Sequence, residues 1–212
     1  YPFRLSELPE RVDRILDAVR AALPVDERRP ADAGLEPILA AHDSVYVDFL
    51  REHRAVSGDP ATSPSPLFPH TFPRRPVSRA LASPVARMGR HAFDIWAPVL
   101  EGTWTAAYWS AQCAVMAADL VVAGAPLAYA LCRPPGHHAG PDYCGGLCYL
   151  NNTAVAARRL QAAGRRVAIL DIDYHHGNGT QDILYADPAL LFCSLHIHPD
   201  EDYPYFWGRA DE

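Results

Sequence analysis

An apolar segment that runs directly into a cluster of carboxylates and imidazoles is the feature that most constrains this chain. Residues 167–170 are apolar, and residues 171–180 follow with the sequence DIDYHHGNGT. Open α/β sheets bind their ligands at the carboxyl ends of parallel strands, where polar side chains gather. The pattern therefore predicts a buried parallel strand with a functional site at its carboxyl end.

A second apolar segment ends in the same way. Residues 127–132 are mostly apolar, and the turn that follows them, RPPGHH, carries His137 and His138. The carboxyl ends of neighbouring parallel strands meet at one edge of a sheet. Two strand ends that each deliver histidine to one crevice predict the site of a metal-dependent hydrolase.

Strand-like and helix-like segments alternate through the second half of the chain. We predict strands at 127–132, 167–172 and 190–195, with helices at 153–163 and 180–186. In the first half, apolar spacing predicts helices at 8–23 and 103–123, and a further helix after Asp43 with Val45, Tyr46, Phe49 and Leu50 on its buried face. Such alternation predicts an α/β fold, a three-layer open parallel sheet with helices on both faces.

Seven prolines between residues 57 and 84 exclude regular structure over most of that segment. A loop of this length inside a compact domain is usually a functional lid or an oligomer contact, and a loosely held surface excursion is the alternative. We predict one domain over residues 1–212, with the Pro-rich segment as an inserted loop at about 57–102.

Charge and composition exclude several classes of partner. The formal net charge is −6, which is the wrong sign for a surface that binds nucleic acid. No apolar run reaches the roughly 18 residues that a membrane span needs. The five cysteines are scattered through apolar segments, which is typical of reduced thiols in a cytoplasmic protein. The sequence therefore predicts a cytoplasmic protein without nucleic-acid or membrane partners.

Asp173 and His175 are the best candidates for metal ligands. Side chains alternate along a strand, so Asp171, Asp173 and His175 are expected on one side of the chain. Carboxylate oxygen and imidazole nitrogen are both ordinary zinc ligands, and a catalytic zinc takes three protein ligands with one open position. One ligand must therefore come from elsewhere, while Asp171 is better placed to hold a histidine.

His137 and His138 are then predicted to move protons. Amide hydrolysis needs a base for the attacking water and an acid for the leaving amine. We expect Asp171 to hold one imidazole and the neutral amide of Asn178 to hold the other, so that the two histidines titrate apart. His42 is interpreted as part of a helix start, and His53, His70 and His91 as surface or loop residues.

These segments resemble the arginase/deacetylase-fold amidohydrolases, which include histone deacetylases and bacterial acetylpolyamine amidohydrolases. The resemblance rests on RPPGHHAG at 133–140, GLCYLNN at 146–152, DIDYHHGNGTQD at 171–182 and SLH at 194–196. The acetylpolyamine enzymes look most similar, because the Pro-rich segment and Gly102-Thr103-Trp104 stand where those enzymes carry an inserted, dimer-forming loop.

The resemblance implies a site for zinc (ferrous iron is the alternative metal) and a structural potassium ion. It implies zinc on Asp173, His175 and a later Asp, His137 paired with Asp171, and His138 paired with Asn178. Potassium contributors would be Asp171, Asp173, His175, Ser194 and Leu195, partly through backbone carbonyls. Gly146 would accept the amide N–H of the substrate at the floor of a tunnel whose wall contains Leu147 and Phe206.

Two departures from the family pattern stand out. The third zinc ligand and a transition-state tyrosine would lie beyond Glu212, so we expect these 212 residues alone to be inactive or weakly metallated. Polyamine-selective relatives have an aromatic residue at the position of Leu147. They also have acidic residues at the positions of Val85 and Trp96, which leaves Asp94 and Glu101 as nearby candidates to attract a distal ammonium.

The resemblance implies zinc-dependent removal of acetyl or similar groups from primary amines. A small acetylated diamine or polyamine is the favoured substrate, and another small amide or a protein acetyl-lysine are the alternatives. A binding protein that keeps the pocket without turnover remains open, as does an arginase-type dinuclear manganese hydrolase. A homodimer formed through the Pro-rich loop is the expected assembly.

Overall fold

The computed structural model describes residues 8–52 and 66–212. Within these residues the helices are α1 (Glu10–Ala22), α2 (Glu36–Leu39), α3 (Ser44–Glu52), α4 (Pro84–Arg90), α5 (Thr103–Val122), α6 (Asn152–Ala162) and α7 (Asn178–Leu184), and the strands are β1 (Val167–Asp171) and β2 (Leu190–Ser194). The predicted helices at 8–23, 103–123, 153–163 and 180–186 are all present, displaced by at most two residues at their ends. No helix in the described part of the chain combines the length and hydropathy that crossing a membrane requires.

Strands β1 and β2 pair in parallel, from Val167 opposite Leu190 to Asp171 opposite Ser194. Ile169 turns inward and packs with Ala157 of α6 and Leu184 of α7. The opposite face of β1 is open, since Leu170 is 64% exposed. The predicted α/β class and parallel pairing are confirmed, and in residues 8–52 and 66–212 the helices that pack on the sheet cover one face.

The predicted strand at 127–132 is wrong. The segment lies without regular structure, and it pairs with no other strand among the described residues. Leu127 and Tyr129 are largely exposed. An apolar segment becomes a strand only where a neighbour completes its backbone hydrogen bonds, so an apolar pattern alone does not establish a strand.

Small residues allow α5 and α6 to pack closely. Ala107, Ala111, Ala114 and Ala118 are buried along one stripe of α5 at helical spacing. Val115, on the same helix, packs against Ala154 and Val155 of α6. Gly124, at φ 105°, follows α5, and Gly164, at φ 73°, follows α6, as expected for residues that end a helix.

The largest apolar cluster forms around α3. Tyr46, Phe49 and Leu50 are fully buried there, together with Val47, whereas Val45 is mostly exposed. The prediction that Val45 belongs to the buried face is therefore wrong, and Val47, two positions later, is buried instead. The reason is helical geometry, because residues 46, 47, 49 and 50 share a face at spacings of three and four, and residue 45 lies on the flank.

The Pro-rich loop is only partly described. Residues 53–65 lie outside the described residues, so the prediction of a dimer contact there remains a prediction. From residue 66 onward the chain is irregular until Ser83, whose hydroxyl accepts a hydrogen bond from the N–H of Ala86 and caps α4. Leu67 pairs with Val99 in an isolated bridge, and both residues are buried. The described part of the loop is thus anchored to the core.

His42 has a structural role that the sequence interpretation missed. The N–H of Asn151 donates to His42 Nε2 at 2.8 Å, so the proton of the neutral ring lies on Nδ1, which donates to the carbonyl of Gly140 at 2.8 Å. Burial lowers the pKa of His42 to about 4. The neutral ring therefore connects two segments about 100 residues away from it in the sequence.

This contact makes stability depend on pH. The pKa of His42 falls from 6.5 to about 4 on folding. The contribution of the neutral ring to the free energy of unfolding is therefore complete above pH 6.5 and is lost as the pH falls toward 4. The loss amounts to about 3 kcal/mol. We expect His42→Gln to lower the free energy of unfolding by about 2–4 kcal/mol at pH 7.

Urea unfolding at pH 7, 5.5 and 4.5 measures the effect. The difference between the wild type and His42→Gln should shrink at each step toward acid, while His70→Gln, at an exposed position, should leave stability unchanged. A difference that stays constant over this range would contradict the assigned role of the neutral ring.

Candidate active site

Two successive turns, rather than strand alternation, place the acidic and imidazole side chains beyond β1. The Asp171 carboxylate accepts the N–H of Asp173 at 3.0 Å, and the Asp173 carboxylate accepts the N–H of His175 at 2.9 Å. Aspartate favours such turns because its side chain reaches the backbone N–H two residues later. The alternation invoked for Asp171, Asp173 and His175 therefore does not apply, since β1 ends at Asp171.

The segment with the paired histidines is bound to the first turn of α7. The N–H of Thr180 donates to the carbonyl of His137 at 3.1 Å. A Cβ at Gly179 would lie 2.3 Å from the carbonyl oxygen of Ala139, a separation that only glycine permits. The glycine at this point of the DIDYHHGNGT segment thus brings α7 against the histidine segment.

Both predicted histidine pairs are present. His137 Nδ1 lies 3.0 Å from Asp171 Oδ2, and His138 Nδ1 lies 2.8 Å from Asn178 Oδ1. Both partners are oxygen acceptors, so each Nδ1 carries a proton and donates it. The centres of the two imidazole rings are 4.0 Å apart. In the neutral rings, the lone pair is consequently on Nε2.

The two pairs differ in charge. Burial, followed by the charge of the nearby His137, lowers the pKa of His138 to about 3. Burial alone would raise the pKa of Asp171, but the hydrogen bond and charge of His137 outweigh it and leave that pKa lowered. Hence His138 is neutral at pH 7 and Asp171 is ionised, so His137 faces a negative partner and His138 an uncharged one.

Asp173 and His175 form a pair that suits one metal ion. Asp173 Oδ1 lies 3.6 Å from His175 Nδ1. Two ligands at zinc bond lengths and a tetrahedral angle would stand about 3.4 Å apart. Both side chains are at least one-third exposed, so their donor atoms are accessible. Among residues 8–52 and 66–212, no cluster of three or more metal-binding side chains forms.

The two strand ends also bring polar backbone atoms together. Asp171 is opposite Ser194, and the N–H of Leu195 donates to the carbonyl of Asp171 at 2.9 Å. His196 Nε2 donates to the carbonyl of Gly208 at 3.0 Å, so His196 Nδ1 accepts the Ser194 hydroxyl at 2.8 Å. The oxygen of Ser194 thereby keeps its lone pairs for a further partner.

Gly146 and Leu147 form a tight turn with left-handed backbone at both residues. Their φ angles are 52° and 67°, and Gly145 and Cys148 exchange two backbone hydrogen bonds across the turn. A positive φ is uncommon for leucine and costs of order 1 kcal/mol or more. A Cβ at Gly146 would lie 2.3 Å from the His138 ring. The turn is therefore pressed directly against the histidine pair.

Asp94 holds this turn in place. Its carboxylate accepts the N–H of Gly146 at 2.8 Å and the hydroxyl of Tyr203 at 2.5 Å. Burial raises the pKa of Asp94, although these hydrogen bonds oppose the shift. Asp94 was a candidate to attract a distal ammonium, but in the structure it is occupied by groups of the protein itself.

Aromatic rings line the approach to the histidines. The Tyr203 ring stands edge-on to His138 at 4.8 Å and to His175 at 5.7 Å, and it stacks on Phe93 at 5.9 Å. Phe206, the predicted wall residue, is 78% exposed and packs edge-on against Trp207. Tyr203 thus contacts both His138 and His175, while Tyr174 also stands edge-on to His175 at 5.1 Å.

Several residues of the site were missed by the sequence interpretation. Tyr203, Tyr143 and Asp182 were given no role. All three act through contacts with residues 35 or more positions away. One signal was available, because Asp182 ends the quoted segment DIDYHHGNGTQD and Tyr143 lies between two quoted motifs.

Substitution of Gly146 tests the close packing of the turn. We expect Gly146→Ala to displace the His138 ring and to lower the free energy of unfolding by about 2–3 kcal/mol. Gly102→Ala is a matched control, because a Cβ there meets nothing within 4 Å. Urea unfolding and the NMR signals of the His138 ring measure both effects, and equal behaviour of the two variants would refute the close contact.

Comparisons with known proteins identify the family of the chain. Residues 5–212 match the histone deacetylase domain. The chain is 47% identical over 97% of its length to acetylpolyamine amidohydrolase 1 of Pseudomonas aeruginosa, and 48% identical over 98% to acetylpolyamine amidohydrolase of Burkholderia pseudomallei, and it covers 60% of each.

A solved structure shows the same fold. The crystal structure of acetylpolyamine aminohydrolase from Burkholderia pseudomallei superposes with a TM-score of 0.84 at 46% identity, over 97% of this chain and 59% of that one. The fold is therefore that of the deacetylases, as the resemblance implied. Members of this family are generally zinc-dependent. The chain belongs to the histone deacetylase family.

Proposed function

We propose that the protein hydrolyses the amide bond of a small acetylated diamine or polyamine, releasing acetate and a primary amine. The observation that carries the proposal is the pair of adjacent imidazoles with unlike partners, His137 on the Asp171 carboxylate and His138 on the Asn178 amide. Such an arrangement places two imidazoles side by side, one on a carboxylate and one on a neutral amide, and amide hydrolysis needs one group that takes a proton and one that gives it.

Asp173 and His175 would hold the zinc ion together with one further ligand. The 3.6 Å separation of their donor atoms supports this assignment. When bound, the zinc would polarise the amide carbonyl and increase the acidity of water. Ferrous iron is the alternative metal. Potassium would be held near Asp171, Asp173, His175, Ser194 and Leu195, a proposal supported by the free lone pairs of the Ser194 oxygen.

His138 would take the proton from the attacking water. Its low pKa keeps the ring neutral, and the hydrogen bond to Asn178 leaves the lone pair on Nε2. His137, held by Asp171, would deliver a proton to the departing amine. The Asp171 carboxylate accepts from His137 Nδ1, which leaves Nε2 as the atom that would carry the transferred proton.

The substrate class is inferred from the named relatives. Two of them are acetylpolyamine amidohydrolases by name. The carbonyl of Gly146 would accept the amide N–H, with Leu147, Phe206 and Tyr203 around the acyl chain. We infer one deacetylase-like domain over residues 1–212, a homodimer through the loop at about 57–102, a cytoplasmic location and no nucleic-acid or membrane partner.

A deacetylation assay on the complete gene product with added zinc tests the proposed function. Acetylputrescine and acetylcadaverine should be hydrolysed with a kcat/KM at least about 10-fold above that of an acetyl-lysine peptide. His137→Ala should lower kcat by about 10²–10⁴-fold, as expected when an acid–base group is removed.

The other outcomes separate the alternatives. Preference for the peptide would contradict the small-amine assignment and indicate a protein deacetylase. Zinc binding without turnover of any of the three compounds would contradict catalysis and indicate a binding protein that keeps the pocket.

Asp94 and Glu101 provide a test of charge selection. Because Asp94 accepts three hydrogen bonds from the protein, Asp94→Asn should lower kcat/KM equally for acetylputrescine and for the uncharged N-butylacetamide, by about 10-fold. Glu101→Gln removes the same charge from an exposed position and serves as the matched variant. A loss confined to acetylputrescine in Asp94→Asn would show that Asp94 attracts the ammonium after all.

A further inference from the structure

A chain of three side chains extends behind His138. The amide nitrogen of Asn178 donates to the hydroxyl of Tyr143 at 3.3 Å, and that hydroxyl donates to the carboxylate of Asp182. The Tyr143 ring is fixed, because it packs on Gly140 and meets Phe93 edge-on at 5.5 Å. Asp182 belongs to α7, and its side chain is exposed to solvent.

The exposed carboxylate sets the direction of every hydrogen bond in this chain. An ionised carboxylate only accepts, so the Tyr143 hydroxyl must give its proton to Asp182. The lone pair of the hydroxyl then faces Asn178 and calls for a donor, which is the amide N–H. The amide oxygen is thereby turned toward His138, where it accepts from Nδ1–H at 2.8 Å. Burial, followed by the charge of Asp182, raises the pKa of Tyr143 and keeps the hydroxyl protonated.

We propose that Tyr143, oriented by Asp182, is a positioning residue that fixes the amide of Asn178 and thereby the tautomer of His138. The proposal deepens the function proposed above and rests on it only for its consequence in catalysis. If the amide turned over, its N–H would face His138 Nδ1. The imidazole proton would then move to Nε2, and the nitrogen that must take a proton from water would already carry one.

The Asn178 amide needs the contact with Tyr143 because its oxygen and its NH2 group are similar in size, while one accepts and the other donates a hydrogen bond. Asp171 offers an oxygen on either side and cannot hold His137 in the wrong tautomer. Asn178 offers an oxygen on one side and a donor on the other, so something must choose between them. Nothing in the contact between His138 and Asn178 makes that choice, and the Tyr143–Asp182 pair makes it from behind.

The test is the tautomer of His138, read from the nitrogen NMR signals of its ring in protein labelled on histidine. The wild type should show a protonated Nδ1 and an unprotonated Nε2. Tyr143→Phe keeps the packed ring and removes only the hydroxyl, so a mixture of tautomers should appear. Asp182→Ala should shift the mixture further, since the Tyr143 hydroxyl can then donate to Asn178. Tyr185→Phe, at an exposed tyrosine that follows α7, should change nothing.

Activity provides a second readout. Tyr143→Phe should lower kcat/KM by about 2–10-fold, the worth of one hydrogen bond. In an Asn178→Asp background the same substitution should have no effect, because a carboxylate presents oxygen to both neighbours and needs no orientation.

The outcomes distinguish this proposal from the proposed function. A protein that hydrolyses no acetylated amine, yet shows the tautomer shift, would overturn the function and support the positioning role. A single unchanged tautomer in both Tyr143→Phe and Asp182→Ala would overturn the positioning role and leave the function standing. An equal loss of kcat/KM in the Asn178→Asp background would also overturn it, since the effect would not pass through the amide.

Discussion

Side chains from distant parts of the chain satisfy the buried carbonyl groups of residues 134–140, and the geometry of the site depends on these hydrogen bonds. The segment carries both catalytic candidates but forms no strand in the described residues. Buried carbonyls without partners would each cost about 1–3 kcal/mol. The carbonyl of Gly140 is bonded by His42, that of Ala139 by Asn151, and that of Pro134 by Asn152 and Ser110.

Asn151 is the point where these contacts converge. Its oxygen caps α6 by accepting the N–H of Ala154, and its amide nitrogen donates to Ala139 and to the Thr180 hydroxyl. Its own backbone N–H donates to His42. One fully buried asparagine therefore connects α6, α7 and the histidine segment. A change at this residue would disturb helix capping and histidine placement together. These side-chain hydrogen bonds hold the histidine segment in place without strand pairing.

Local patterns predicted what depends on neighbours in the sequence. The helices α5 and α6 and the strands β1 and β2 follow from periodicity within short windows. The specific pairing of His137 with Asp171, 34 positions apart, was implied only by the family resemblance. The strand at 127–132 was predicted wrongly because its formation depends on a partner that periodicity cannot supply. His42 was interpreted as a helix start because its partners, Gly140 and Asn151, are 98 and 109 positions away.

The same limit explains Asp94. A carboxylate in a loop near the site suggested a role in attracting a cation, since surface charge is the ordinary state of aspartate. Its actual partners, Gly146 and Tyr203, are 52 and 109 positions away. By accepting the N–H of Gly146, Asp94 stabilises a turn with two positive φ angles, one of them at Leu147. Strain at a site persists only where surrounding contacts determine the backbone, and the Asp94 carboxylate is one of those contacts.

The unequal partners of the two histidines explain why a further pair of hydrogen-bonded side chains, Tyr143 and Asp182, lies behind the partner of His138. Asp171 is ionised and has two equivalent oxygens, of which Oδ2 holds His137 and Oδ1 accepts the backbone N–H of Asp173. Burial keeps His138 uncharged, and its Nε2 is free to accept a proton only when the amide oxygen of Asn178 faces the ring. A neutral partner avoids a second negative charge behind the two histidines, but its amide has an orientation that must be fixed. The hydrogen bonds from Asn178 to Tyr143 and from Tyr143 to Asp182 fix that orientation.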